Sequence, residues 1–198
     1  MPVSGGNAYM SKSLYMRGLQ CHKSLYLYKH HPELRGEPTP ELLALWKSGT
    51  GVGIYAHQLF PGGVEVPFEG LTNPEQLGKT KEEIAKGTEI LYEVKSATEV
   101  KDHNLDDVAV QYYVLSGCGI SLRKAYLVHI NNEYVRQGEI VPRELFATQD
   151  VTDVVKGMQG FIPGELAIMR KMMRGKVPDL DIGPHCNEPF ECDFMDHC

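Results

Sequence analysis

The sequence lacks the long apolar run that a membrane-spanning helix requires, since no stretch of its 198 residues approaches the roughly 20 apolar residues that cross a bilayer. It also has no apolar signal segment at its start, where residues 1–10 predict a flexible leader. Basic residues are not in excess, because 20 Lys and Arg face 26 Asp and Glu, a net charge of −6. These absences favour a cytoplasmic protein and argue against nucleic-acid binding by the whole surface. A local basic channel is compatible with that charge.

Internal repeats and low-complexity linkers are missing as well, and the length suits one domain with a core of its own. Strand-like runs alternate with helix-like segments, which predicts an α/β fold. We expect residues 11–198 to form a single domain. Its tail, residues 178–198, is rich in Pro, Gly, Asp and Cys and cannot pack a core by itself, so we expect a metal centre to order it.

Capping residues and apolar periodicity predict where the main elements lie. One helix begins at Ser11 or Ser13 and runs to about Tyr28. Another begins at Pro40, and the glycines at 49, 51 and 53 predict a break after it. The further predicted elements are strands at 64–68, 90–96 and 125–130, a helix at 104–115, a hairpin turn at 131–132 into a strand at 133–136, and a long helix at 150–175.

Four of the five cysteines are divided between the two ends of the chain: Cys21, Cys186, Cys192 and Cys198. In a reducing compartment, clustered cysteines favour a metal over disulfides. Cubane iron–sulfur clusters take four thiolates at irregular spacing, whereas structural zinc prefers closely spaced Cys-x2–4-Cys pairs, which are absent. A mixed Cys/His zinc site and unliganded buried thiols are the alternatives. Cys118 stands alone and is predicted to be a small packed residue.

An acid and a lysine, Glu93 and Lys95, lie two residues apart on a predicted strand, so their side chains share a face and can converge on one phosphate. A metal-dependent phosphodiesterase needs carboxylates for Mg²⁺ or Mn²⁺ and a positive group near the attacked phosphate. His57 is an upstream candidate metal ligand. Asp107 and Gln111 have i, i+4 spacing on one helix face and can orient the lysine or contact a nucleic-acid backbone. For each residue the alternative is an ordinary packed or surface position.

The segments that contain these residues form a wider pattern. They are Ser11–Leu14, Gln20–Lys23, Gly53–His57, Glu93–Ser96, Asp102–Asp107 and Pro184–Cys198. Together they resemble the RecB-like branch of the PD-(D/E)XK nuclease superfamily, in particular its iron–sulfur, CRISPR-associated-exonuclease-like proteins and a related bacterial group. The resemblance covers most of the chain from Ser11 onward. Its most specific parts are the one-plus-three cysteine distribution and the Glu-Val-Lys-Ser strand.

The resemblance implies a restriction-endonuclease-like αβββαβ core with helical additions. It implies metal-assisted hydrolysis of DNA phosphodiesters, on single strands or at ends, with Mg²⁺ or Mn²⁺. By position, His57 and Glu93 would be metal ligands, and Lys95 would stabilise charge at the attacked phosphate or position the water. The four cysteines at the chain ends would hold a 4Fe-4S cluster that joins the termini and is structural.

One part of the family pattern is missing from this sequence. Members carry a β-hairpin with a metal-binding Asp before the Glu-x-Lys strand, but no Asp lies between His57 and Glu93. Glu65, Glu69 and Glu89 are the nearby acids that we consider as substitutes. Either the hairpin was deleted or omitted, or the site is rebuilt from residues elsewhere in the chain. The position of the last cluster cysteine at the final residue favours a truncated sequence.

The missing Asp keeps a second hypothesis open. The chain would then be a catalytically degenerate module that binds nucleic acid or a protein partner and is stabilised by its cluster. Such a module would retain DNA in a salt-dependent manner without turnover. A third hypothesis is a redox or metal sensor that uses the cluster as a switch. Strand polarity, pathway and oligomeric state do not follow from the sequence.

Overall fold

The structure is a computed structural model that describes residues 9–66, 70, 72–85, 87 and 89–198. Within these residues it is a mixed α/β fold with eight α-helices and a three-stranded sheet. The α-helices are α1 (Lys12–Gln20), α2 (His22–His30), α3 (Pro40–His57), α4 (Asn73–Ile84), α5 (Asp102–Gly117), α6 (Pro142–Leu145), α7 (Thr152–Met158) and α8 (Ile162–Met172). The strands are β1 (Ile90–Val94), β2 (Lys124–Ile130) and β3 (Phe146–Asp150), and 3-10 helices cover Pro32–Leu34 and Pro184–Cys186.

The chain divides into two compact units. The terminal unit comprises Met1–Leu43 and Gly157–Cys198, and the central unit comprises Ala44–Lys156. Compact units are not the same as independently folding domains, so the single domain expected at 11–198 stays a prediction. Of the leader expected at 1–10, residues 1–8 lie outside the described residues. None of the helices that the structure describes is long and apolar enough to span a membrane.

The terminal unit packs α1 and α2 against α8. Its core contains Leu25 and Met169, which are fully buried, and α1 approaches them through Gly18. A Cβ atom placed on Gly18 would lie 2.6 Å from the Met169 sulfur and 2.9 Å from a Leu25 methyl carbon. Glycine is therefore the residue that lets these helices approach so closely.

The single helix predicted to about Tyr28 is wrong, because Cys21 divides it into α1 and α2. Cys21 has an extended backbone, with φ −158° and ψ 116°. Its sulfur accepts a hydrogen bond from the Ser24 N–H at 3.4 Å, which caps the start of α2. Ser11 caps α1 as predicted, its hydroxyl accepting from the Leu14 N–H at 3.3 Å.

In the central unit, β1 pairs in parallel with β2, and β3 pairs antiparallel with the other edge of β2. Helix α5 connects the two parallel strands, as a parallel pair requires. Glu93 lies opposite Leu127 in the register, next to the Val94–Val128 pair. Successive side chains of a strand point to opposite faces, so Glu93 and Val94 belong to different faces of the sheet.

The end of α3 packs on the Val94 face. Ala56 is buried there with Val128 and Phe146, and Val94 lies against this cluster. Helix α5 lies on the Glu93 face, because its side chains form hydrogen bonds with that carboxylate. The sheet therefore separates the residues packed around α3 from the acid–lysine pair.

Several predicted boundaries differ from the structure. The glycines at 49, 51 and 53 do not break α3, which is continuous. The helix predicted at 150–175 is two helices, since Pro163 lacks the N–H that a continuous helix needs there. Residues 133–136 form no strand, and β3 supplies the antiparallel partner instead. Of the strand predicted at 64–68, residues 64–66 are not in a strand, and 67–68 lie outside the described residues.

Candidate functional site

The structure brings four predicted residues together in the central unit: Glu93, Lys95, Asp107 and Gln111. We call them the Glu–Lys cluster. Lys95 directly follows β1, and its backbone N–H donates to the Val128 carbonyl at 2.8 Å, which fixes its position beside the sheet. Its ammonium donates to Asp107 Oδ2 and lies 3.0 Å from Glu93 Oε1. One lysine thus bridges a strand carboxylate and a helix carboxylate.

Gln111 closes the cluster on its other side. Its Nε2 donates to Glu93 Oε2 at 2.9 Å and to Asp107 Oδ1 at 3.2 Å. Asp107 and Gln111 are neighbours because they lie four residues apart on α5. Both oxygens of each carboxylate therefore have a partner within the cluster.

The cluster is mostly shielded from solvent. The exposed fractions of the side chains are 15% for Glu93, 24% for Lys95 and 8% for Asp107. Burial alone would lower the pKa of Lys95, but the Glu93 and Asp107 carboxylates outweigh it, and the net effect raises this pKa. Lys95 is therefore positively charged at neutral pH. Two carboxylates and one ammonium leave a formal charge of −1.

Among the contacts that the structure gives, none joins His57 to the Glu–Lys cluster. This histidine is exposed at the end of α3, next to Ala56, which packs on the other face of the sheet. In the described ranges, no three His, Cys, Asp or Glu side chains are grouped as ligands of one ion. The role of His57 as a metal ligand stays a prediction.

Two of the acids considered as substitutes for the missing Asp, Glu65 and Glu89, have no contact with the cluster among those that the structure gives. Glu65 is exposed, and Glu89 forms an ion pair with Arg123 at the surface. Glu69 lies outside the described residues. Asp107 is the second carboxylate beside Glu93, supplied by a helix rather than by a hairpin strand.

The pair of Glu93 and Asp107 fits a hard divalent ion in one respect. Carboxylate oxygens are suitable ligands, and Mg²⁺ in proteins is commonly held by one or two carboxylates, with water and substrate phosphate completing its octahedron. A third protein ligand is therefore not required. Binding would need Lys95 to release the carboxylate oxygens that it now contacts.

His103 is a neighbour of the cluster that the sequence reasoning did not assign to the site. It lies on α5 four residues before Asp107 and is half-buried. Burial lowers its pKa, and the positive charges of Lys95 and Lys101 lower it further. The signal in the sequence was the same i, i+4 spacing that pairs Asp107 with Gln111.

The terminal unit contains the four cysteines of the predicted cluster as free thiols. Cys21 and Cys186 are buried, Cys192 is half-buried, and Cys198 is exposed. Burial raises the pKa of the Cys21 thiol, and the nearby thiols of Cys192 and Cys186 raise it further. Cys118 is exposed in the central unit, so the prediction that it packs in the interior is wrong.

Hydrogen bonds attach the C-terminal tail to the N-terminal helices. Gln20 Nε2 donates to the His185 carbonyl at 2.8 Å and to the Phe190 carbonyl at 2.6 Å. Arg17 forms two hydrogen bonds with the Asp193 carboxylate, at 2.6 and 3.0 Å. Sequence reasoning missed the Arg17–Asp193 pair, because the two residues are 176 positions apart and neither belongs to a recognisable motif.

The iron–sulfur cluster expected in the terminal unit stays a prediction, and the four cysteines there are of the ligand type that it requires. A cubane binds one thiolate at each of four irons, so its ligands stand further apart than the ligands of one zinc ion. Among the described residues, no three His, Cys, Asp or Glu side chains lie close enough together to hold one metal ion. The wider spacing of cluster ligands is compatible with this finding. The thiols near Cys21 supply the ligand type that iron–sulfur clusters require.

No family model, no curated protein and no solved structure matches this chain. The family resemblance therefore rests on the residues of the chain itself.

Proposed function

We propose that this chain is a metal-dependent DNA nuclease of the RecB-like PD-(D/E)XK type, acting on single strands or ends. Its active site would be the Glu–Lys cluster, and a 4Fe-4S cluster in the terminal unit would be structural. The αβββαβ core belongs to the same proposal. The observation that carries it is the ammonium of Lys95 between the carboxylates of Glu93 and Asp107.

Each member of the cluster has a chemical role in this proposal. Lys95 keeps its proton at neutral pH and can donate hydrogen bonds to a phosphate oxygen as negative charge develops there. Gln111 holds both carboxylates in place, since its amide donates to each of them.

Glu93 and Asp107 are the residues that would hold Mg²⁺ or Mn²⁺. A divalent ion held there would supply Lewis acidity at the phosphoryl oxygen and would lower the pKa of a bound water. The two carboxylates orient the reacting groups, and Lys95 moves from them toward the substrate phosphate. His57 is the further ligand that the family resemblance implies.

The test is cleavage of end-labelled single- and double-stranded DNA by protein purified anaerobically and supplied with Mn²⁺ or Mg²⁺. We expect wild type to cut and Lys95→Ala to cut roughly 10²- to 10³-fold more slowly, the usual loss when one charge-stabilising donor is removed. Lys124→Ala is the matched control, because Lys124 is exposed and pairs with Asp150 elsewhere on the sheet. Equal rates for Lys95→Ala and wild type would overturn the proposal.

A second candidate function is binding without catalysis. It is favoured by the engagement of both carboxylates within the cluster, since each oxygen of Glu93 and Asp107 contacts Lys95 or Gln111. Its signature is DNA retention that weakens with salt, unaffected by Lys95→Ala, with no product on any DNA form. Filter binding beside the cleavage assay separates the two functions.

A further inference from the structure

In the terminal unit, the cysteines of the proposed cluster are held by the residues beside them. Gln20 precedes Cys21 in the chain, and His185 precedes Cys186. The Gln20 side chain donates to the His185 carbonyl at 2.8 Å. A hydrogen bond thus joins the chain segments that carry these two buried thiols.

The third cysteine is held through its neighbour Asp193. Arg17 donates to the Asp193 carboxylate at 2.6 and 3.0 Å, and Arg35 donates to it at 2.5 Å. Two guanidinium groups on one carboxylate form a strong, directional contact. We call these three residues the Asp193 clamp. Cys192 directly precedes Asp193, and its N–H donates to the Cys186 carbonyl at 2.8 Å.

Aromatic packing supports the clamp. The guanidinium of Arg17 lies 4.6 Å from the centre of the Tyr28 ring and 5.8 Å from the centre of the Phe194 ring. Phe194 is almost fully buried. The tail is therefore anchored as far as Phe194 by protein contacts alone.

Cys198 differs from the other three. It lies four residues beyond the anchored Phe194, its side chain is exposed, and its N–H donates to the Phe194 carbonyl at 3.1 Å. We call Cys21, Cys186 and Cys192 the inner thiols.

We propose that the Asp193 clamp holds the inner thiols in place before any cluster binds, and that Cys198 joins as the fourth ligand on binding. The members of the clamp are positioning residues, since they act through the cysteines. This inference rests on the cluster in the proposed function, but its first half concerns the metal-free protein and is tested separately.

Thiol alkylation of the metal-free protein tests the clamp. Each cysteine is followed by mass spectrometry during reaction with iodoacetamide, and its rate is divided by its rate in urea. We expect Cys186 and Cys192 to be protected in wild type and about tenfold more reactive in Asp193→Asn, as expected from losing a charge-assisted hydrogen bond. Exposed Cys118 should react at the same rate in both.

Asp196→Asn is the matched control, because it removes an exposed carboxylate from the same tail. It should leave every cysteine rate unchanged. If Cys186 reacts as fast as Cys118 in wild type, or if Asp193→Asn changes nothing, the clamp is overturned. A circular dichroism melt of each variant distinguishes local release of the tail from unfolding.

Anaerobic reconstitution with iron and sulfide tests the fourth ligand. Cys198→Ser should take up iron but lose it to a chelator several-fold faster than wild type, whereas Cys186→Ser should retain little. Equal loss in both variants would overturn the separate role of Cys198. If wild type binds no iron, the proposed cluster itself fails, while the alkylation rates still decide whether the clamp exists.

Discussion

Gln111 Nε2 donates a 2.9 Å hydrogen bond to Glu93 Oε2, and this bond joins helix α5 to the strand that carries the acid–lysine pair. The same amide group donates to Asp107. One neutral side chain therefore supports both carboxylates, together with the ammonium of Lys95.

Gln111→Leu is expected to lower the free energy of unfolding by about 1–3 kcal/mol, because it removes the amide donor shared by two mostly buried carboxylates. Urea denaturation measures the change. Gln137→Leu is the control, since Gln137 is exposed in a loop. A loss no larger than that of the control would show that Gln111 does not support the cluster.

Asp193→Asn is expected to destabilise the protein in a pH-dependent manner. Burial would raise the pKa of Asp193, but Arg17 and Arg35 outweigh it and hold the pKa below the ordinary 3.8. A carboxyl group whose pKa is lower in the folded protein than in the unfolded chain stabilises the fold at pH values above its unfolded pKa. This stabilisation is lost as the pH falls through the folded pKa. The stability difference between wild type and variant should therefore be constant from pH 7 to about 4 and shrink below 3.8. A difference that grows on acidification would contradict this assignment.

Gly18→Ala is expected to destabilise the protein by about 1–3 kcal/mol, the usual effect of overpacking a core. The added carbon would lie 2.6 Å from the Met169 sulfur and 2.9 Å from a Leu25 methyl carbon, so these two fully buried side chains would have to shift. Gly164→Ala on α8 is the control, because a Cβ there meets nothing within 4 Å. It should stabilise by up to about 1 kcal/mol through helix propensity. Thermal melts measure the change in melting temperature of each variant. Equal changes in both variants would contradict the close approach of the helices at Gly18.

Asp107→Asn is expected to weaken Mn²⁺ binding at least tenfold, roughly the effect of removing a direct ligand or its support. Electron paramagnetic resonance of free Mn²⁺ measures the affinity. His57→Ala in the same titration tests the ligand that the family resemblance implies. A matching loss would establish His57 as a ligand, whereas unchanged affinity would leave Glu93 and Asp107 as the ligands from the protein.

Local periodicity predicted the elements around the site well. The strand expected at 90–96 is β1, Ile90–Val94, and the helix expected at 104–115 is α5, Asp102–Gly117. The i, i+4 spacing placed Asp107 and Gln111 on one helix face. In the structure, Asp107 contacts Lys95 and Gln111 contacts Glu93. These features depend on residues close in sequence, which is why the pattern alone was informative.

Features that depend on distant residues were not predictable in this way. Strand β3 was missed because its role is defined by pairing with β2, and its sequence has no clear alternation. The break at Cys21 was missed because a cysteine rarely caps a helix. The Asp193 clamp joins positions 176 residues apart, so only folding reveals it.

The most direct test of the central claim is single-turnover cleavage of end-labelled DNA by Glu93→Gln, measured anaerobically with Mn²⁺ beside wild type and Glu99→Gln. Glu99 is an exposed acid that pairs only with Lys101 among the ion pairs described. We expect wild type and Glu99→Gln to cut the DNA, and Glu93→Gln to cut at least about 10²-fold more slowly. Equal cutting by all three proteins, or no cutting by wild type on any DNA form, would contradict a nuclease site at the Glu–Lys cluster.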